Sequence, residues 1–112
     1  MGIDKITLNL GGEGEEPDVI NQQGPWILRE NWVAVRTLQT LPELVDAGHA
    51  FLICSNLSLP FPDESVDTVI TNDVPIDQIA YHGPGVQSSE IRRILKSGGQ
   101  WIKDGAIEET KP

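Results

Sequence analysis

The sequence predicts an α/β domain built on a mostly parallel sheet of about five strands. Three observations carry that expectation. Lys5–Leu10 alternates apolar and polar residues and ends in a glycine-rich loop, Gly11-Gly12-Glu13-Gly14. The runs His49–Ser55 and Val66–Thr71 read as further apolar strands. Helix-like segments separate the later strands, and crossovers of that kind join parallel neighbours.

Taken in order, Ile6, Leu8 and Leu10 form one face of the first strand, with Thr7 and Asn9 on the other. Gly and Pro punctuate residues 11–17, so a loop is expected there. A short second strand is expected over Asp18–Asn21, closed by Gln22-Gln23-Gly24-Pro25. Residues 24–37 carry no clear period. Val33-Ala34-Val35 favours a β-hairpin or an extra edge strand, with a helical turn before it as the alternative. Thr40-Leu41-Pro42-Glu43 has the spacing of a capping box, Leu41, Leu44 and Val45 make a helical stripe, and Gly48 stops it. Pro42 suits the first turn, where its missing N–H costs nothing. His49–Ser55 is nearly all apolar and is expected to be a central strand covered on both faces. Val66–Thr71 is the fourth strand. After a Gly/Pro-rich loop, Ser88 or Ser89 is expected to cap a helix through Ile91, Ile94 and Leu95, terminated by Gly98-Gly99. Gln100–Lys103, with Trp101, is the fifth strand, and residues 103–112 read as a frayed polar tail.

The 112 residues suit a single domain with one modest core. Seventeen acidic against eight basic residues give a net charge of −9. Such a surface repels phosphate backbones, so no nucleic-acid partner is expected. It favours solubility and would be attracted to a basic partner. The single cysteine, Cys54, lies in an apolar run and reads as a small buried hydrophobe. Metal-ligand spacing is absent. No apolar run reaches the ~20 residues of a membrane span, and the start Met1-Gly2-Ile3-Asp4-Lys5 carries no secretion or myristoylation pattern. A cytoplasmic location without membrane attachment is therefore expected.

Two phrases go further. Leu59-Pro60-Phe61-Pro62-Asp63 leads into Asp67–Asn72, and Glu90-Ile91-Arg92-Arg93-Ile94-Leu95-Lys96-Ser97-Gly98-Gly99 leads into the fifth strand. Together they resemble LPFPDxSxDxVxxN and EIxRxLKPGG of the class I S-adenosylmethionine-dependent methyltransferases, with Ser97 in place of the usual Pro. The resemblance implies a Rossmann-like fold lacking its final strands, and S-adenosylmethionine as the cofactor. Gly11, Gly12 and Gly14 then match the loop that lets the cofactor's aminocarboxypropyl arm approach the backbone. Gln22 or Gln23 stands where the family keeps an acid for the ribose hydroxyls, and Ser55 and Asn56 where it keeps an acid for the adenine amino group. Asn72 and Asp73 follow the fourth strand, where substrate or catalytic residues are often placed.

The departures from that pattern matter. Glu13, Glu15 and Glu16 put negative charge beside the cofactor's carboxylate, and an amide grips a hydroxyl less firmly than a carboxylate does. Binding of S-adenosylmethionine is thus expected to be weak or lost. Loss of the final strands would leave the fifth strand at an edge, so a homodimer or a protein partner pairing there is expected. The competing reading is a non-catalytic acidic interaction module on the same fold. A third places acid–base chemistry on Asp73, Asp77 and His82, of which Asp73 reads first as a turn-former and His82 as a loop residue. His49 reads as structural, and Trp26 and Trp32 as core or interface anchors, because no basic patch accompanies them.

Overall fold

The computed structural model describes residues 5–81 and 83–112. The N-terminal residues read above for targeting signals, and His82, lie outside them. The chain forms a six-stranded sheet in the order β3-β2-β1-β4-β7-β8. Strands β1 (Thr7–Leu10), β2 (Ile20–Gln23), β3 (Ala50–Ile53), β4 (Val66–Thr71) and β7 (Leu95–Lys103) are parallel. β8 (Ala106–Thr110) is antiparallel to β7. A two-stranded hairpin, β5 (Ile79–Ala80) with β6 (Gly83–Pro84), lies in the long loop after β4.

The described residues contain two short α-helices. α1 (Leu41–Asp46) starts on the expected box, with Thr40 Oγ1 accepting from Glu43 N and Glu43 Oε1 accepting from Thr40 N. α2 (Ser88–Ile94) begins at Ser88 and takes no cap from a serine. Asp77 supplies it, accepting from Ser88 N at 2.9 Å and from Ser88 Oγ at 2.6 Å. Those bonds hold the Asp77 carboxyl below its usual range.

The core lies on one face of the sheet. Leu8, Leu10, Val69 and Trp101 pack there with Ile91, Ile94, Leu59 and Val86. Trp101 Nε1 donates to Thr71 Oγ1 at 3.0 Å, so its polar edge is satisfied inside. Arg93 staples α2 to the Leu59–Asp63 loop. Its guanidinium donates to the carbonyls of Leu59 and Phe61 and to the carboxylates of Asp63 and Glu90. The two phrases singled out in the sequence therefore meet in space through one planar cation.

The opposite face is different. β1 and β2 are joined by residues 11–19 without a helix, although parallel neighbours usually need one. The side chains facing that connection are Asn9, Asn21 and Gln23, all buried. They bond the loop above them. Gly14 N donates to Asn21 Oδ1 at 3.2 Å, and Gln23 Nε2 donates to the Gly12 carbonyl at 3.0 Å. A polar layer can hold a loop because the loop offers unpaired backbone groups, which a helix face does not.

Several expectations are corrected. The third strand lies at the sheet edge, not the centre, with Ala50 and Ile53 exposed. Nothing in a short apolar run distinguishes the two positions. The second strand runs two residues later than expected, because Asp18 turns the chain at φ 57°. Residues 24–37 contain no strand; a 3-10 turn over Pro25–Leu28 and further turns replace it. Lys96–Gly99 belongs to β7, in which a bulge absorbs the extra residues opposite Asp67. The tail is not frayed. Asp104 and Gly105 turn at φ 50° and 85°, the two-residue geometry favoured in hairpins, and return the chain as β8. β8 covers the outer edge of the fifth strand, so that edge is not open for a partner.

Candidate functional site

The strand order reverses between β1 and β4. Such a switch point opens a crevice at the carboxyl ends of the strands. A cleft of about 220 Å³ lies there, lined by Gly11 after β1, Gln22 and Gln23 of β2, Asn56 after β3, and Val74 and Pro75 after β4. Trp26, Trp32, Val35 and Glu13 form further walls, with Ala80 and Pro84 from the β5–β6 hairpin. A second hollow of about 460 Å³, bounded by Ile53, Cys54 and Ser55, shares Trp26, Asn56 and Pro84 with it.

The structure thus brings Gly11, Gln23, Ser55 and Asn56 to one place. Their polar groups are largely committed to one another. Gln22 Nε2 donates to the Cys54 carbonyl at 3.0 Å and to Asn56 Oδ1 at 3.2 Å, while Gln22 Oε1 accepts from Gly11 N at 3.3 Å. Asn56 Nδ2 donates to the Pro84 carbonyl at 2.9 Å. Gln23 Oε1 accepts from Trp26 Nε1 at 3.1 Å, and its Nε2 holds Gly12. Ser55 Oγ accepts from Leu57 N at 3.1 Å. Burial raises the Cys54 thiol, against a smaller lowering by Gln22.

The glycines are close-packed by the chain's own side chains. A Cβ on Gly11 would lie 2.5 Å from Val74 Cγ1, and one on Gly12 would lie 2.3 Å from Asn21 Oδ1. A Cβ on Gly14 would meet the His49 ring at 3.0 Å. Gly12 and Gly14 line neither hollow.

Asn72 does not face the cleft. It donates to Glu15 Oε2 at 3.0 Å and to Glu16 Oε2 at 3.1 Å. Glu15 is the hub of the acidic loop, also accepting from Asn9 Nδ2 and Glu13 N and pairing with Arg36 at 3.4 Å. Burial pushes the Glu15 carboxyl up, but the bonds from Asn9, Glu13 N–H and Asn72 outweigh it and hold the group below its usual range. Asn9 Oδ1 is buried and has no donor among the described residues.

Asp73 is a left-handed turn residue, φ 53°, whose exposed carboxylate pairs with Arg36 at 3.2 Å. It lines an adjoining groove with Glu15, Arg36 and Asn72 and does not enter the main cleft. Asp77 is spent on capping α2. The grouping of Asp73 and Asp77 as acid–base partners is therefore not assembled, and His82 lies outside the described residues. Among the described residues, no group of three His, Cys, Asp or Glu side chains is placed to hold a metal ion, and no helix is long and apolar enough to cross a membrane.

Sequence reasoning placed Glu13 in the cofactor loop but missed Trp26 and Trp32 as cleft walls, reading them as core or interface anchors. For Trp26, its position three residues past the carboxyl end of β2 was the available signal. No protein-family model matches the chain, and no curated protein or solved structure matches it either.

Proposed function

We propose that this chain is a Rossmann-like, methyltransferase-type domain that binds S-adenosylmethionine weakly or not at all. One observation carries the reading: the amides standing where the cofactor's polar anchors belong are bonded among themselves. Gln22, Gln23 and Asn56 use both ends of their side chains within the protein, and the Asn72 amide is held by Glu15 and Glu16. A ligand hydroxyl would have to break a buried bond to make one, which leaves little net gain. The reversal of strand order between β1 and β4 supports the fold part of the reading.

S-adenosylmethionine fits the residues present poorly. Gly11 and Gly12, which should leave room for its amino-acid arm, face Val74 and Asn21. Glu13 in the wall of the main cleft would oppose the cofactor's carboxylate. Isothermal titration with S-adenosylmethionine and S-adenosylhomocysteine tests the reading; a micromolar affinity for either sinks it.

A second reading, a non-catalytic acidic module that docks through a sheet edge, has its own support. The free edge of β3, Ala50–Ile53, carries no charge, proline or bulge, whereas the other edge, β8, carries Glu108 and Glu109. Sedimentation velocity on the protein and on Ile53→Lys tests it. A full-length protein that sediments as a monomer at all concentrations removes the homodimer form of this reading.

A further inference from the structure

The main cleft has an unusual wall chemistry for a site in this position. Two indoles, Trp26 and Trp32, line it, and among the described residues its one charged lining side chain is Glu13 and no cation lines it. Across the shared Gly11–Glu13 wall, Arg36 is already paired with Glu15 and Asp73. The amide groups at its floor are bonded internally. Trp26 is fixed in place, because its Nε1–H bonds Gln23 and its ring lies over Gly24, where a Cβ would come within 2.0 Å of Cζ3. Glu13 is positioned as well, with Oε1 accepting from Val35 N at 3.0 Å.

From these walls we infer that the cleft binds a small alkylated ammonium ion. The inference rests on the reading that the adenosyl cradle is closed. Indole faces attract cations through their quadrupole, and a carboxylate beside them adds a direct charge. An anion is repelled by Glu13 and finds no cationic partner among the described lining residues. A sugar or nucleoside needs hydrogen-bond partners, and the cleft's amides have few to spare. A quaternary ammonium needs none, since it carries charge on an apolar surface without N–H donors. Size permits it: the cleft of about 220 Å³ has room for an ion of a few heavy atoms. The net charge of −9 draws the cation toward the protein.

Choline is the probe, and its uncharged carbon isostere, dimethylbutanol, is the control, each titrated at constant ionic strength. The indole Nε1–H resonances report directly, with buried Trp101 as an internal reference. Choline should shift the Trp26 and Trp32 signals saturably and leave Trp101 in place, while dimethylbutanol binds about tenfold more weakly or not at all. Glu13→Gln keeps the oxygen that accepts from Val35 and removes only the charge; it should weaken choline about tenfold with thermal stability unchanged. Equal binding of choline and dimethylbutanol overturns the inference. So does the absence of any saturable shift, or full choline affinity in Glu13→Gln. S-adenosylmethionine runs as a separate arm: micromolar binding there removes the closed-cradle reading, while the contrast between choline and its isostere decides whether the cleft recognises a cation.

Discussion

Replacing Gly12 by alanine separates a glycine kept for a ligand from one kept for the protein itself. In a ligand loop the added methyl would sit in open space and leave the free protein's stability intact. Here it would lie 2.3 Å from Asn21 Oδ1 and 2.8 Å from Asn9 Nδ2, both side chains being buried. Asn21 would have to move, and with it the bonds to Gly14 N at 3.2 Å and to the Ala50 carbonyl at 3.0 Å. Crowding of this kind costs about 1–3 kcal/mol. A stranded buried polar group costs about 1–3 kcal/mol more. The smaller entropy of the unfolded alanine chain returns up to about 1 kcal/mol. A net loss of about 3 kcal/mol follows, equivalent to roughly 10 °C in melting temperature for a domain of this size. Gly48→Ala is the control. Gly48 has a left-handed backbone, φ 99°, which Gly12 does not, but nothing lies within 4 Å of its Cβ position, so only conformational strain of about 1 kcal/mol applies there. Urea and thermal unfolding followed by circular dichroism, without ligand, give both numbers. A Gly12→Ala loss below about 1 kcal/mol would refute the reasoning.

Three further outcomes are expected. Arg93→Lys should lower stability by about 2 kcal/mol in urea unfolding, because an ammonium cannot span the two carbonyls and two carboxylates that the guanidinium joins. Glu15, Glu43, Asp67, Asp77 and Glu90 all titrate below their ordinary values in the folded protein. Their stabilisation is therefore complete above about pH 4.5, the ordinary glutamate value, and is lost as pH falls through the folded values. Glu15→Gln should lower stability at neutral pH and make the acid limb shallower, as a pH series of unfolding midpoints would show. Truncation after Lys103 removes β8 together with Lys111, which bonds the carbonyls of Arg92 and Leu95. Sedimentation velocity should then find larger species than for the full chain, because the outer edge of β7 is bared.

The local parts of this fold were legible in the residues, and the long-range placements were not. The Thr40–Glu43 box, the Val66–Thr71 strand and the α2 stripe through Ile91 and Ile94 declare themselves over a few residues, because capping and periodicity act at that range. Asp104-Gly105 is equally local and carries a hairpin signal; its polar surroundings disguise it as a tail. The position of β3 at the edge depends on which strands pair, and its apolar run would look the same in the centre. The candidate site divides the same way. Its glycines and amides could be located by order along the chain. Their mutual saturation could not, because Gln22 meets Asn56, and Asn72 meets Glu15, across separations that only the folded sheet closes.

By itself, then, the order of residues settled the capped helix α1, the first and fourth strands, the stripe of α2 and the acidic balance. Only the tertiary structure decided that Asn9, Asn21 and Gln23 form a buried polar layer beneath a helix-free crossover, and that two indoles and one carboxylate wall the cleft. The physical reason is that a side chain's hydrogen-bonding capacity is a local property, whereas the partner that consumes it is chosen by packing between distant segments.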